Sequence, residues 1–156
     1  MDAEHKEIRI SRLLKDNLID FELKGNNKKE IIAELIDLLS KSRRIRNKKA
    51  FLKAIMEREK LGSTGIGNGV AIPHAKSEGV SDFILAFARK DEGMDFGALD
   101  GDRTFLFFAL ASPKEDVGGH LKILSEISRL VKDKFIVERL KKAKNKKEVI
   151  KIISEL

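Results

Sequence analysis

Helical periodicity is the clearest pattern along the chain. The stretch KKEIIAELIDLLS, residues 28–40, places its apolar side chains at the spacing of one helical face, which is typical of an amphipathic helix. Asn27 stands just before it and Glu30 follows three residues later, the spacing of a capping box with Asn in place of Ser or Thr. We therefore predict a helix over about residues 28–40.

Four further helices follow from the same reasoning. Asn47 can cap a second helix that ends near Leu61–Gly62, because glycine commonly terminates helices. Over residues 120–131 the apolar positions again recur with helical spacing, and two shorter helices are predicted at 134–142 and 146–154. Helices are thus predicted in both halves of the chain.

Short apolar runs between these helices predict strands. FILAFAR (83–89) and TFLFFALA (104–111) are almost wholly apolar, as in strands that are buried on both faces. Leu18–Leu23 alternates in part and predicts a short strand, whereas Gly65–Gly69 predicts a loop or a short irregular strand. Helices that flank and follow strands indicate an α/β sandwich around one sheet.

Length and composition fit one compact domain. The chain has 156 residues, 42% of them hydrophobic, and its apolar runs are too short to cross a bilayer. The N-terminal sequence MDAEHKEIRIS carries charges where a signal peptide has an apolar stretch. Cysteine is absent, so disulfides, thiol nucleophiles and cysteine metal clusters are excluded. We therefore expect a cytoplasmic protein without direct membrane insertion.

The charge of the chain bears on its partners. Lys and Arg number 32 against 25 Asp and Glu, a net charge of +7, which favours an acidic or phosphorylated partner. Nucleic acid is the alternative, suggested by the basic clusters at Arg43–Arg46 and within residues 141–147. These clusters lie apart and contain no aromatic residue, so we interpret them as solvated surfaces and expect no nucleic-acid binding.

Histidine is the residue type that can carry chemistry here, because Cys, Tyr and Trp are absent and only three His occur. His74 lies in VAIPHAK, where Pro73 restricts the backbone, and we expect it on a loop beside the sheet. A neutral imidazole is a good nucleophile for phosphorus near pH 7. If one ring nitrogen donates to a backbone carbonyl, the other keeps its lone pair. The alternative is a buried histidine that only satisfies a local hydrogen bond.

Groups that could bind an anion lie elsewhere in the sequence. His120 is predicted to open a helix after Gly118–Gly119, where backbone N–H groups attract anions, or else to be a capping or surface residue. Arg58 can bind a phosphate with its guanidinium or complement a helix dipole. Ser63 and Thr64 can donate hydroxyl hydrogen bonds to the same anion, or simply form a turn.

Other kinds of site are disfavoured. The glycines of residues 65–69 do not form a dinucleotide-binding fingerprint, and no GxxxxGK[ST] phosphate loop occurs. Two histidines and a carboxylate can hold zinc, but the histidine spacing gives no ligand pattern. We therefore expect no metal and no cofactor. His5 lies in a charged segment, which predicts a solvated side chain.

Three segments resemble one known family. REKLGSTGIGNGVAIPH (58–74) is similar to the signature of the fructose/mannitol-type enzyme IIA domain of the phosphotransferase system, PTS EIIA type-2, which includes nitrogen-regulatory members. EGMDFGALDGDRTFLFFALASP (92–113) resembles the turn and central strand of that family. HLKILSEISRLV (120–131) resembles the helix that carries its second histidine. The similarity begins at about Leu18 and continues to the C-terminus.

The resemblance implies an architecture and a set of roles. It implies one EIIA domain over residues 18–156, with residues 1–17 as an N-terminal extension or the first segment of the domain. The implied fold is a single-domain α/β/α sandwich with a mixed central sheet. His74 matches the phosphorylated histidine, His120 the assisting histidine and Arg58 an arginine near the phosphoryl group. The resemblance gives Ser63, Thr64 and the backbone at Gly119 supporting roles only.

The activity implied is that of a phosphotransferase, a protein-histidine phosphoryl carrier for phosphoenolpyruvate-dependent sugar uptake. Its donor would be phosphorylated HPr or the nitrogen-branch counterpart, and its acceptor a cysteine of an enzyme IIB domain. The alternative is a nitrogen-regulatory paralogue in which phosphorylation switches the binding of other proteins.

Overall fold

The computed structural model describes residues 9–155, within which six α-helices and six strands form one mixed α/β fold. The helices are Ile10–Leu13 (α1), Lys28–Ser40 (α2), Lys48–Lys60 (α3), Val117–Val131 (α4), Lys134–Lys142 (α5) and Lys146–Ser154 (α6). A short 3-10 helix covers Asp16–Leu18. The strands are Ile19–Asp20 (β1), Gly65–Gly67 (β2), Val70–Ala71 (β3), His74–Ser77 (β4), Ile84–Met94 (β5) and Thr104–Pro113 (β6).

One sheet contains all six strands. Their order is β1-β5-β6-β3-β2, and β4 also pairs with β6. β5 and β6 are antiparallel, whereas β1 runs parallel to β5, and β3 and β4 run parallel to β6. The predicted α/β sandwich with a mixed sheet is therefore confirmed. His5 lies outside the described residues.

The core forms around the two long strands, β5 and β6. Their apolar runs are buried almost completely, and Phe87 of β5 packs edge-on against Phe108 of β6 at 5.2 Å between ring centroids. Burying one such side chain contributes about 1.5–3 kcal/mol to stability. Ile10 and Leu14 also belong to this core, so the fold includes residues before position 18. Within residues 9–155 every helix falls short of the length and apolar character that crossing a bilayer requires.

The helices at residues 28–40, 134–142 and 146–154 are confirmed with the predicted bounds. The Asn27 side chain accepts a hydrogen bond from the Glu30 N–H at 2.9 Å, as the capping pattern predicted. Asn47 caps α3 in the same way through the Ala50 N–H at 3.0 Å. These caps define the helix starts because the first N–H groups of a helix have no partner within it.

Three local predictions were wrong. α4 begins at Val117 and not at His120, since Asp116 is the capping residue and its side chain accepts from the Gly119 N–H. Only Ile19–Asp20 of the predicted strand 18–23 is a strand, because the Asp20 carboxylate accepts from the Glu22 N–H at 2.8 Å and turns the chain. His74 lies on a strand and not on a loop, since β4 pairs with β6.

Replacing Asn27 by alanine should lower the free energy of unfolding by about 1 kcal/mol, because one N–H at the start of α2 loses its acceptor. Urea denaturation of both proteins at pH 7 measures the difference. Asn26→Ala is the matched control, since the Asn26 side chain makes no hydrogen bond to any of residues 9–155. Equal losses in the two variants would show that the Asn27 cap contributes nothing.

Candidate functional site

His74 is held by the sheet at the first position of β4. Its Cα lies opposite that of Leu110 in the parallel pairing of β4 with β6. The carbonyl of Pro73, directly before it, accepts a hydrogen bond from the Leu110 N–H at 3.0 Å. The backbone at the histidine is therefore fixed by a buried strand, and the ring itself is half-buried.

One nitrogen of the His74 ring is already occupied. Nδ1 lies 2.6 Å from the Ile72 carbonyl oxygen, and because a carbonyl can only accept, Nδ1 carries the proton of the neutral ring. Nε2 therefore keeps its lone pair. Burial lowers the pKa of His74 below 6.5, opposed by the Ile72 carbonyl and assisted by the positive charge of Arg58. The ring is consequently neutral and nucleophilic near pH 7.

His120 lies beside His74. Its residue is 4% exposed, and its ring centroid is 5.5 Å from that of His74 with a tilt of 52° between the ring planes. Nδ1 of His120 lies 2.7 Å from the Ser112 hydroxyl oxygen. Burial is the main cause that lowers the pKa of His120 to about 4, and the neighbouring His74 and Lys76 lower it further because they disfavour a second positive charge beside them. Two neutral imidazoles thus face one small region of the surface.

An open cavity of about 440 Å³ connects these groups. We call it the histidine cavity. Its polar lining consists of His74, His120, Arg58, Lys76 and Glu57. Its apolar lining consists of Ala54, Leu61, Ala75, Leu121 and Leu124. A concave site with two uncharged imidazoles, two cations and one carboxylate has a net positive lining, which suits an anionic group that must bind and then react.

Arg58 lines the same cavity as the two histidines, the position that the family resemblance implies. It lies in the last turn of α3, and its Nη1 donates to the Gly62 carbonyl at 2.9 Å. That hydrogen bond holds the guanidinium at the wall of the histidine cavity, where its remaining N–H groups can contact a phosphoryl oxygen.

Ser63 and Thr64 do not line the histidine cavity. The Ser63 hydroxyl donates to the Phe96 carbonyl at 2.9 Å and accepts from the Gly65 N–H at 3.0 Å. The Thr64 hydroxyl is buried and bonded to the Glu59 carboxylate. Both residues hold the turn between α3 and β2, so their predicted contact with the anion is not supported.

Gly119 also differs from expectation. Its N–H donates to the Asp116 carboxylate at 3.0 Å, so this N–H is already used and not directed at an anion. The glycine has a packing role instead. A Cβ at this position would lie 2.5 Å from the Phe83 ring, closer than carbon atoms can approach, so the first turn of α4 fits against Phe83 only without a side chain.

Three residues near the site were not identified from the sequence. Lys76 lies two residues after His74 on β4, hence on the same face of the strand. Ser112 contacts His120, and buried Glu59 forms an ion pair with Lys28 at 2.7 Å. Lys76 would have followed from placing His74 on a strand, whereas Ser112 and Glu59 depend on tertiary contacts. No group of three or more potential metal ligands occurs within residues 9–155.

The buried His120 should make stability depend on pH. In the unfolded chain the pKa of His120 is near 6.5, whereas in the folded protein it is about 4. Between these values the unfolded chain binds a proton that the folded protein does not. The free energy of unfolding is therefore highest above pH 6.5 and falls as the pH drops toward 4. The loss reaches about 3 kcal/mol at the lower end. Urea denaturation at pH 6.5, 5.5 and 4.5 measures it. His120→Gln should lose less stability over this interval, and identical slopes for both proteins would contradict the assignment.

A mixed α/β sheet thus brings two neutral histidines together at a cavity with two cationic side chains, an arrangement that can bind an anionic group. The sequence model described as "Phosphoenolpyruvate-dependent sugar phosphotransferase system, EIIA 2" matches residues 12–156. The chain belongs to this family, and the resemblance seen in the sequence is confirmed. Membership supports a phosphotransferase role in general.

Similar proteins include fructose-specific PTS components and nitrogen regulatory proteins. The fructose-specific EIIA component of the PTS from Haloferax volcanii is 37% identical over 94% of this chain and 96% of its own length. The nitrogen regulatory protein of Bradyrhizobium diazoefficiens is 34% identical over 85% of this chain and 86% of its length. The fructose-specific EIIABC component of Bacillus subtilis is 34% identical over 95% of this chain, which spans only 23% of that protein.

Solved structures agree with the fold. The nitrogen regulatory protein IIA-Ntr of Neisseria meningitidis superimposes with a TM-score of 0.86 at 34% identity, covering 92% of this chain and 98% of that one. Enzyme IIA mannitol of Escherichia coli gives a TM-score of 0.77 at 24% identity, covering 89% and 97% of the two chains. The second likeness concerns the fold alone.

Proposed function

We propose that this protein is a phosphohistidine carrier that accepts a phosphoryl group on His74 and passes it on. The observation that carries the proposal is the bond of His74 Nδ1 to the Ile72 carbonyl beside His120. That bond leaves Nε2 as the nucleophile on a neutral, partly exposed ring. We assign the activity to residues 18–156 and expect it in the cytoplasm.

The transfer can be described bond by bond. Nε2 of His74 attacks phosphorus in line, the new N–P bond forms, and the donor's N–P bond breaks with its electron pair returning to the donor. The His74 ring then carries a positive charge while Nδ1–H still donates to the Ile72 carbonyl at 2.6 Å. This keeps the phosphoryl group easy to transfer again, since a neutral imidazole departs in the next step. Most of the catalysis comes from positioning and charge stabilisation.

Three residues supply that stabilisation in our proposal. Arg58 and Lys76 place positive charge at the histidine cavity, and His120 supplies a neutral imidazole beside the reacting ring. Phosphoryl oxygens carry the negative charge that develops during transfer, and preorganised donors in a partly dry site stabilise it strongly. No metal or cofactor enters this scheme.

Partner binding has an apolar surface available. Leu61 is 85% exposed and Leu121 is 59% exposed, and both lie at the wall of the histidine cavity. A small apolar patch next to charged residues suits a transient interface. The family works with HPr-type donors and IIB acceptors, so phosphorylated HPr, or its nitrogen-branch counterpart, and an enzyme IIB cysteine are the proposed partners.

The alternative is regulation, favoured by the likeness to nitrogen regulatory proteins. Phosphorylation of His74 would add nearly two negative charges beside exposed Leu61 and Leu121 and would change what docks there. Sugar uptake is the first function we propose because the fructose-specific EIIA relative is 37% identical over 94% of this chain, against 34% over 85% for the Bradyrhizobium nitrogen regulatory protein.

Phosphoenolpyruvate-dependent labelling with enzyme I and HPr tests the proposal. We expect one phosphate per chain and onward transfer to a fructose-type IIB domain. No labelling with HPr or with its nitrogen-branch counterpart would refute the carrier function. Growth on single sugars with and without the protein separates the two roles, since a regulator would leave growth on every sugar unchanged.

A further inference from the structure

Ser112 is a fully buried polar residue that contacts His120 and has no role in the proposed transfer scheme. It lies on β6, is 0% exposed, and its hydroxyl oxygen is 2.7 Å from Nδ1 of His120. Its Cα lies opposite that of Lys76 in the β4–β6 pairing, so it sits on the same side of the sheet as the two histidines. It does not line the histidine cavity, and any effect on the reaction must therefore act through His120.

The direction of the Ser112–His120 hydrogen bond follows from burial. The hydroxyl has no other hydrogen-bond partner among residues 9–155. If Nδ1–H donated to the hydroxyl oxygen, the hydroxyl hydrogen would be buried without an acceptor, which costs free energy. If the hydroxyl donates to Nδ1, its hydrogen is satisfied. The second arrangement is therefore favoured, and the single proton of neutral His120 is placed on Nε2.

The two histidines then hold complementary protons. His74 carries its proton on Nδ1, fixed by the Ile72 carbonyl, and offers a lone pair at Nε2. His120 accepts at Nδ1 and offers an N–H at Nε2. A lone pair can attack phosphorus, and an N–H can donate to a phosphoryl oxygen. Were His120 in the opposite tautomer, its Nε2 lone pair would repel the phosphoryl oxygens.

We propose that Ser112 is a positioning residue that fixes His120 as the Nε2–H tautomer, so that the ring donates a hydrogen bond to the phosphoryl group on His74. This inference rests on the proposed carrier function. It extends that function by naming a residue that sets the proton pattern of the site from outside the cavity.

Nitrogen-15 NMR of the histidine rings at pH 7 tests the tautomer directly, without any partner protein. Wild-type His120 should show the Nε2–H pattern. Ser112→Ala should convert it to a mixture or to the Nδ1–H form, and Ser112→Thr, which keeps the hydroxyl, should restore the wild-type pattern. Nδ1–H on His120 of the wild type would overturn the proposal, as would an unchanged tautomer in Ser112→Ala.

Transfer kinetics supply the second measurement. Single-turnover transfer from labelled protein to a IIB domain should be about tenfold slower in Ser112→Ala, the effect of one weakened donor to a charged group. Ser112→Thr should come close to the wild-type rate. Ser77→Ala is the matched control, because Ser77 is also buried on β4 but its hydroxyl contacts the Gly79 N–H at 3.1 Å. An equal slowing in this control would overturn the role of Ser112.

The two failures can be told apart. Missing phosphate uptake by the wild type refutes the carrier function, whatever the tautomer. A wild type that is fully labelled but holds His120 as Nδ1–H refutes the role of Ser112 and leaves the carrier function intact.

Discussion

Replacing His74 by alanine should abolish phosphate uptake from phosphorylated HPr. The Nε2 lone pair of this ring is the only nucleophile that the proposed scheme uses, and its orientation depends on the Ile72 carbonyl contact at 2.6 Å. Without the attacking nitrogen no N–P bond can form, so the neighbouring groups that position and stabilise the phosphoryl group cannot compensate. Phosphoenolpyruvate-dependent labelling followed by intact mass measurement should show one added phosphate for the wild type and none for the variant.

Two controls make the His74 result specific. His5→Ala removes a histidine from the charged N-terminal segment and should be labelled like the wild type. The thermal midpoint of His74→Ala should stay near that of the wild type, because the ring is only half-buried. Full labelling of His74→Ala, with a folded protein, would remove His74 from the role of carrier.

Replacing His120 by alanine should leave phosphate uptake measurable but slow its onward transfer by about 10²–10³-fold, the usual effect of removing one preorganised donor at a developing charge. The centroid of the His120 ring lies 5.5 Å from that of the His74 ring, and His120 is neutral near pH 7. One of its nitrogens therefore carries an N–H that can donate to a phosphoryl oxygen on His74. Rapid-quench transfer to a IIB domain measures the rate.

Stability must be separated from chemistry in this variant. Alanine leaves a void beside Ser112 and deprives its hydroxyl of an acceptor, so urea denaturation should accompany the kinetics. His120→Gln retains most of the volume and should also transfer slowly. Ser125→Ala changes an exposed residue of the same helix, α4, and should transfer normally. Wild-type transfer by a folded His120→Ala protein would show that His120 has no part in the reaction.

The helices could be predicted because their signals are local. The spacing of apolar residues gave the bounds of α2, α5 and α6, and Asn caps marked the starts of α2 and α6. The start of α4 was misplaced because Gly118–Gly119 resembles a break in a helix. The Asp116 carboxylate instead caps a helix that begins at Val117, so both glycines lie in its first turn. A capping side chain thus outweighed the low helix propensity of glycine.

The candidate site was predictable only in part. His74, His120 and Arg58 were identified through the family resemblance, and the structure brings them to one cavity. Ser63 and Thr64 belong to the same sequence signature as His74, yet they do not line its cavity. Their hydroxyls bond to the Phe96 carbonyl and the Glu59 carboxylate instead. Ser112 could not be predicted at all, because its position depends on the register between β4 and β6, which no local pattern determines.

The contact between Gly119 and Phe83 bears on how this protein tolerates sequence variation. A Cβ on Gly119 would approach the Phe83 ring to 2.5 Å, so a larger residue at 119 requires a smaller one at 83. We expect the two positions to co-vary among homologues, although neither touches phosphate. A screen of random substitutions would then find destabilised variants at Phe83 that are rescued by a second change at Gly119, and substitutions at His74 and His120 alone would not reveal this compensation.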